Sequence, residues 1–98
     1  MSDAIKISRA GNCSAVMVDD ELVMMSIELG QYFALNQAGG RVWELLETPR
    51  TLADLCAAME VEYDVERELC RREVAALLEE LKGKGLVTFV ANDLVKMR

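Results

Sequence analysis

The sequence predicts an α+β domain in which a three-stranded antiparallel sheet is followed by three helices. Three observations lead to this fold class. Apolar segments of strand length fill positions 14–35, apolar residues recur at helical spacing between positions 42 and 81, and hydrophobic residues make up 52% of the chain. Strands followed by two short helices and one longer helix are also the order of a winged helix-turn-helix.

The predicted strands form a meander. Asp19-Asp20 and Gly30 are the residues expected to turn the chain between them. The middle strand is apolar on both faces, which predicts a central position in the sheet or a second covering layer. The third strand holds two aromatic residues and a leucine, a composition suited to a half-buried pleated surface. The three strands are Ser14–Val18, Glu21–Leu29 and Gln31–Leu35.

Each predicted helix follows a capping residue. Asn36, Thr51 and Asp64 carry side-chain oxygens that can accept hydrogen bonds from the free N–H groups of a first helical turn. Gly39 and Gly40 weaken the first turn of the first helix by roughly 1 kcal/mol each relative to alanine. We therefore expect them to let this helix lie close to a neighbouring element. The helices are about Gln37–Glu47, Leu52–Tyr63 and Val65–Lys82.

Both ends of the chain are predicted to be less regular. Ile5–Ser8 is a short candidate strand, and Leu86–Val90 is either a short wing-like strand or an apolar tail. Because 98 residues suffice for one hydrophobic core but not for two, we expect a single domain over residues 1–98. Residues 1–13 and 91–98 are expected to be frayed or irregular.

The composition argues against several classes of protein. No apolar run approaches the roughly 20 residues of a membrane helix and no signal peptide opens the chain, so we expect a cytoplasmic protein without membrane contact. The chain has no histidine and only three widely spaced cysteines, so we expect no metal site and no cofactor. Without a histidine base, a phosphate loop or a catalytic motif, we predict that it is not an enzyme.

A DNA-binding regulator is the alternative from another class, because winged helix-turn-helix domains place a helix in the major groove. The long helix and its end, residues 66–84, hold five basic and five acidic residues. On a protein with a net charge of −6 and a pI near 4.6, this region provides no basic surface for phosphates. We therefore expect no nucleic-acid partner.

The remaining interpretation is a protein-binding module built on the third strand. A strand at the edge of a sheet leaves N–H and C=O groups unpaired, and an extended peptide can add to it. The long helix would form the other wall of the groove. Ordinary core packing is the competing interpretation, since half of the strand's side chains must face inward. The candidate peptide-binding residues are Gln31, Tyr32, Phe33, Ala34 and Leu35 on the strand, with Cys70, Val74 and Leu78 on the helix.

The run GQYFALNQAGGRVWELLETPRTLADL, followed by a helix ending in LLEELKGKGLV, resembles the PqqD-like superfamily of peptide-recognition proteins. The likeness lies in an ordered set: a Gly-x-Tyr-aromatic-x-Leu-Asn strand and cap, a Trp-Glu helix and a Gly-Leu-Val close, over about residues 14–90. It implies a winged helix-turn-helix that binds the leader of a ribosomally made precursor peptide. The leader would add as a strand to the third strand, lie against the third helix, and be presented to processing enzymes.

Within the superfamily, the segment MMSIELGQYFALN most resembles the stand-alone leader-binding protein of lasso-peptide pathways. The partners implied there are a leader-cleaving cysteine protease and an ATP-dependent ring-closing enzyme. The alternative is the PqqD protein itself, which serves a radical-SAM enzyme in pyrroloquinoline quinone synthesis. The resemblance also places Arg71 on the helix that faces the leader. Arg67 and Arg71 either pair with acidic leader residues or are solvated helix charges. A homodimer through the same sheet edge is also open.

Overall fold

A computed structural model describes residues 4–11, 13–27 and 29–91 of the chain. Within these residues the chain forms two three-stranded antiparallel sheets and three helices, with strand orders β2-β3-β4 and β5-β1-β6. The elements in chain order are β1 (Ile5–Arg9), β2 (Cys13–Val18), β3 (Glu21–Ser26), β4 (Gln31–Leu35), α1 (Gln37–Leu45), β5 (Arg50–Thr51), α2 (Leu52–Tyr63), α3 (Arg67–Gly83) and β6 (Val87–Ala91).

The predicted meander is confirmed as the sheet β2-β3-β4, with β3 in the centre. Asp19 and Gly30 adopt positive φ angles of 57° and 64° in the two turns. The middle strand is shorter than predicted and ends at Ser26. The backbone carbonyl of Ser26 accepts from the N–H of Gly30 at 2.8 Å, and the Ser26 hydroxyl accepts from the N–H of Leu29 at 3.2 Å. These bonds close the turn, so Leu29 lies outside the strand.

The second sheet differs from the expectation that residues 1–13 are irregular. Residues 5–9 form β1, which pairs with β6 on one side and with β5 on the other. Ile7 lies opposite Phe89 and is fully buried. The strand alternative for Leu86–Val90 is confirmed, because β6 covers Val87–Ala91. The predicted frayed segment 92–98 lies outside the described residues, as do residues 1–3.

Two of the three predicted caps are confirmed, and the third is wrong. The side chain of Asn36 accepts from the N–H of Gly39 at 2.9 Å, and Thr51 forms a reciprocal capping box with Asp54. Asp64 instead ends α2 in a left-handed conformation with a φ of 49°. The cap of α3 is Glu66, whose carboxylate accepts from the N–H of Leu69 at 3.3 Å. An N-cap residue typically has extended backbone angles, which Glu66 has and Asp64 lacks, and α3 starts two residues later than predicted.

The hydrophobic core lies between the two sheets and the three helices. Its fully buried members come from both sheets and from every helix, so each sheet and each helix buries its apolar side chains against the others. Two arginines of the second sheet hold the C-terminal end of α1. Arg9 donates to the carbonyl of Trp43 and stacks on its ring with a centroid distance of 4.6 Å, while Arg50 donates to the carbonyl of Leu45. These cations satisfy helix-end carbonyls and oppose the negative end of the helix dipole.

Of the described helices, none is long and apolar enough to cross a membrane.

Candidate functional site

The free edge of β4 is the first component of the candidate site. Among the described residues, β4 pairs only with β3, so its other side carries backbone N–H and C=O groups without strand partners. Five consecutive residues, Gln31–Leu35, form this edge. Such an edge is a template for one further strand.

The register of the sheet decides where each side chain of β4 points. Residues directly opposite each other share a face, so Phe33 opposite Met24 and Leu35 opposite Leu22 lie on the inner face, towards the core. Both are half-buried. Tyr32 and Ala34 lie on the outer face and are exposed, Tyr32 with 72% of its surface accessible. The predicted strand thus divides into two inward and two outward side chains, with exposed Gln31 at its start.

A cleft of about 550 Å³ opens between the end of β4, the start of α1 and one face of α3. Its floor is apolar and includes the buried side chains of Val42, Met59, Cys70 and Val74. The loop between α2 and α3 also contributes to its walls. The lining residues are Ala34, Leu35, Asn36, Ala38, Gly39, Val42, Met59, Tyr63, Val65, Cys70, Glu73, Val74, Ala76, Leu77 and Glu80.

The two glycines of α1 set how closely this helix approaches the sheet. A Cβ placed on Gly39 would lie 3.2 Å from Cβ of Leu35, and one on Gly40 would lie 3.4 Å from Cβ of Leu22. The expectation that the glycines let the helix lie close to a neighbour is thus confirmed for Gly39, whereas the contact at Gly40 is an ordinary one. Because Gly39 and Leu35 both line the cleft, the close approach also shapes the candidate site.

The structure brings only some of the predicted site residues to the cleft. Ala34, Leu35, Cys70 and Val74 line it. Leu78 is fully buried and belongs to the core beneath it. These positions are consistent with a groove between strand and helix, and Leu77 rather than Leu78 lines the cleft beside Val74.

The two predicted arginines do not line the cleft. The side chain of Arg67 is 85% exposed, and its Nε lies 3.6 Å from a carboxylate oxygen of Glu60. Arg71 is half-buried, and its charge acts on the thiol of Cys56. Of the two interpretations of Arg67, its position favours the solvated helix charge.

Four residues of α3 that line the cleft were not among the predicted site residues: Glu73, Ala76, Leu77 and Glu80. They follow Cys70 at spacings of three, six, seven and ten, which is one helical face. The sequence pattern predicts the apolar stripe of this helix but not which of its edges faces the cleft. Glu73 and Glu80 lie beside the apolar stripe rather than on the opposite face of the helix, and this position is the sequence signal that indicates a cleft wall.

Cys70 lines the cleft, and the backbone carbonyl of buried Cys56 accepts from its thiol. Burial raises the pKa of the Cys56 thiol to about 11, and burial also raises the pKa of Cys70. Both thiols are therefore protonated near neutral pH and are poor nucleophiles. Within residues 4–11, 13–27 and 29–91, no three potential metal ligands come together. The arrangement is suited to binding an extended apolar segment.

Comparison with known proteins gives a consistent result. The sequence profile described as "Coenzyme PQQ synthesis protein D (PqqD)" matches residues 21–87. A solved structure described as "TbiB1 in Complex with the TbiA(beta) Leader Peptide" is 30% identical with a TM-score of 0.75, and the match covers 82% of this chain and 93% of that one. A second, "Lasso peptide synthetase B1 complexed with the leader peptide", is 28% identical with a TM-score of 0.72, covering 84% and 96%. No curated protein sequence matches significantly.

Proposed function

Because the chain belongs to the PqqD family, we propose that it binds the leader segment of a ribosomally made precursor peptide and presents it to processing enzymes of lasso-peptide biosynthesis. The observation that carries this proposal is the free edge of β4 beside the apolar cleft on α3. It is supported by the two similar structures, which both contain a leader peptide and match nearly their whole length.

In the proposed mechanism, the leader adds to β4 as a fourth strand of the meander. Backbone hydrogen bonds to the edge supply affinity without regard to sequence, and side chains that enter the cleft supply specificity. Alternate side chains of an added strand point to the same face. Those on the inner face would pack on Leu35, Val74 and Leu77, where each buried methylene contributes about 0.8 kcal/mol.

The opposite face of the same sheet supports the presentation step. Six apolar side chains lie on this outer sheet face and are exposed or only half-buried, so the sheet has no covering layer among the described residues. A contiguous exposed apolar surface of this kind marks a protein interaction site. We assign the outer sheet face to contact with a processing enzyme. Its residues are Val16, Val18, Val23, Met25, Tyr32 and Ala34.

The proposed partners are the leader-cleaving protease and the ring-closing enzyme of a lasso-peptide pathway. The protein itself would act without catalysis and without a cofactor, in the cytoplasm where ribosomes make the precursor. A peptide chaperone for a radical-SAM enzyme would use the same edge and the same cleft, and the leader complexes favour the lasso-peptide assignment. A homodimer through β4 would compete with the leader, because both need the same backbone groups.

The test is a backbone-amide NMR titration with synthetic leader peptides, the TbiA(beta) leader among them, and in parallel with a DNA duplex. We expect a leader to shift amides of Gln31–Leu35 and of the cleft face of α3, and DNA to shift none. The function is wrong if no leader perturbs the spectrum while DNA shifts α3.

Two proline substitutions test the binding mode. Successive N–H groups of a strand point to opposite sides, so one of Phe33→Pro and Ala34→Pro removes a donor from the free edge and the other removes one from the ladder with β3. We expect both to weaken leader binding, measured by titration calorimetry, and only the one that breaks the ladder to lower the melting temperature strongly. Normal leader affinity in folded samples of both variants would contradict strand addition.

A further inference from the structure

The charge of the cleft is one-sided. Of its fifteen lining residues, Glu73 and Glu80 are charged and both are acidic. Glu73 is exposed and forms no salt bridge with a residue in the described part of the chain. Glu80 shares its charge with Lys84, whose Nζ lies 3.6 Å from a carboxylate oxygen of Glu80. The α3 wall therefore presents at least one carboxylate that is not neutralised.

Three basic residues at the two ends of α3 contact side chains other than Glu73. Lys84 lies over the ring of Phe33, 4.7 Å from its centroid, on β4 rather than over the cleft floor. Lys82 lies 4.8 Å from the ring centroid of Phe89, on the second sheet. Arg67 pairs with Glu60. None of these three cations forms a salt bridge with Glu73 in the described part of the chain, and neither Arg71 nor Arg72 lines the cleft, so the charged residues that line it are both acidic.

An apolar floor below an acidic rim fits one kind of side chain. Lysine and arginine lay their aliphatic stems on apolar surface while the charged group reaches a polar rim. Val74 and Leu77 would contact the stem, and Glu73, one residue before Val74 on α3, would meet the charge. An acidic leader residue at the same position would be repelled, and on a protein with a net charge of −6 nothing distant offsets that repulsion.

We propose that the cleft selects leader segments carrying a lysine or arginine at the position that faces Glu73. This inference rests on the proposed function and specifies its substrate: an extended peptide with apolar anchors and a basic residue beside them. Glu73 acts as a specificity determinant, and strand addition to β4 supplies the affinity that is independent of charge.

A display selection with random peptides tests this without requiring the natural precursor. A library of peptides of about twenty residues is selected on the wild-type protein and on the variants Glu73→Lys, Glu79→Lys and Ala34→Pro, and the enriched sequences are compared. Glu79→Lys is the matched control, because Glu79 is an exposed acid of α3 that does not line the cleft. Circular dichroism verifies that every variant is folded.

On the wild type and on Glu79→Lys we expect lysine and arginine to be enriched at one position next to apolar residues, and on Glu73→Lys we expect aspartate and glutamate there. Replacing that basic residue by glutamine in a selected peptide should weaken binding to the wild type about two- to fivefold, the range for one exposed ion pair. The same basic preference on Glu73→Lys, or its loss on Glu79→Lys as well, would overturn the inference while leaving leader binding intact. Enrichment of no peptide over the Ala34→Pro background would instead refute the proposed function.

Discussion

Alanine substitutions at the two adjacent glycines of α1 should have opposite effects, although both replace a glycine by alanine in the same helical turn. Neither glycine has a positive φ, so alanine fits the backbone at both positions. Removing a glycine reduces the entropy of the unfolded chain and stabilises a protein by about 0.4–1 kcal/mol when the site has room. The two sites differ in the space available for the added Cβ.

At Gly40 the new Cβ would lie 3.4 Å from Cβ of Leu22, an ordinary contact. We expect Gly40→Ala to raise the melting temperature by about 2–8 °C. At Gly39 the contact would be 3.2 Å to Cβ of Leu35, with Oδ1 of Asn36 at 3.4 Å. The crowded atom is a Cβ attached directly to the backbone of β4, so the edge strand itself must shift by a few tenths of an ångström.

Overpacking of this kind costs about 1–3 kcal/mol, which exceeds the entropic gain. Gly39→Ala should therefore be about 1 kcal/mol less stable than the wild type, and it should bind leader more weakly because Leu35 and Gly39 line the cleft. Thermal unfolding by circular dichroism and a leader titration measure the two effects. Equal melting temperatures and equal leader affinities for the two variants would refute the reasoning, since they would show that the distance between α1 and β4 is not constrained.

Two further predictions concern the α1 end and the buried thiols. Arg9→Met removes the hydrogen bonds to the Trp43 carbonyl and the ring contact, so we expect chemical denaturation to show a free energy of unfolding lower by about 1.5–3 kcal/mol, with Arg9→Lys in between. Arg72 is exposed, so Arg72→Met should change the free energy of unfolding little, and an equal loss for that variant would contradict the role of Arg9. Burial raises the pKa of Cys56 from 9.0 to about 11, so between these pH values the folded state keeps a proton that the unfolded state loses. The contribution of the neutral thiol to the free energy of unfolding is therefore full below pH 9 and is lost as the pH rises towards 11. Urea midpoints between about pH 8 and 11 should fall less for Cys56→Ala than for the wild type, and parallel curves would contradict this.

The elements that sequence reasoning predicted correctly depend on local chemistry. The capping box of Thr51 and Asp54 involves residues three apart, and the cap of Asn36 is equally local. The central position of β3 followed from apolar residues on both of its faces. In each case the pattern within a few residues contains the physical cause, so one sequence is enough to predict the outcome.

What could not be predicted depends on contacts between distant segments. Short candidate strands were predicted near β1 and β6, but their pairing joins segments separated by most of the chain, and no local pattern indicates it. Asp64 is of a residue type that favours N-caps, but its left-handed backbone and the hydrogen bond from its N–H to the carbonyl of Glu60 make it the C-cap of α2. The sequence pattern also does not distinguish neighbouring apolar positions of α3: Leu78 lies in the core, whereas Leu77 lines the cleft.

The pairing of β1 with β6 places the first and last described strands side by side. Ile5 lies directly opposite Ala91, so a short linker between these two strands could join them and allow the chain to be opened elsewhere. The exposed turn at Asp19-Asp20 is a suitable opening, because it lies between β2 and β3 and contributes nothing to the cleft. In such a circular permutant β3, β4 and all three helices would remain in one continuous segment. The edge of β4 and the cleft would thus be unchanged by an opening at this turn, which makes this domain a convenient unit for insertion into other proteins.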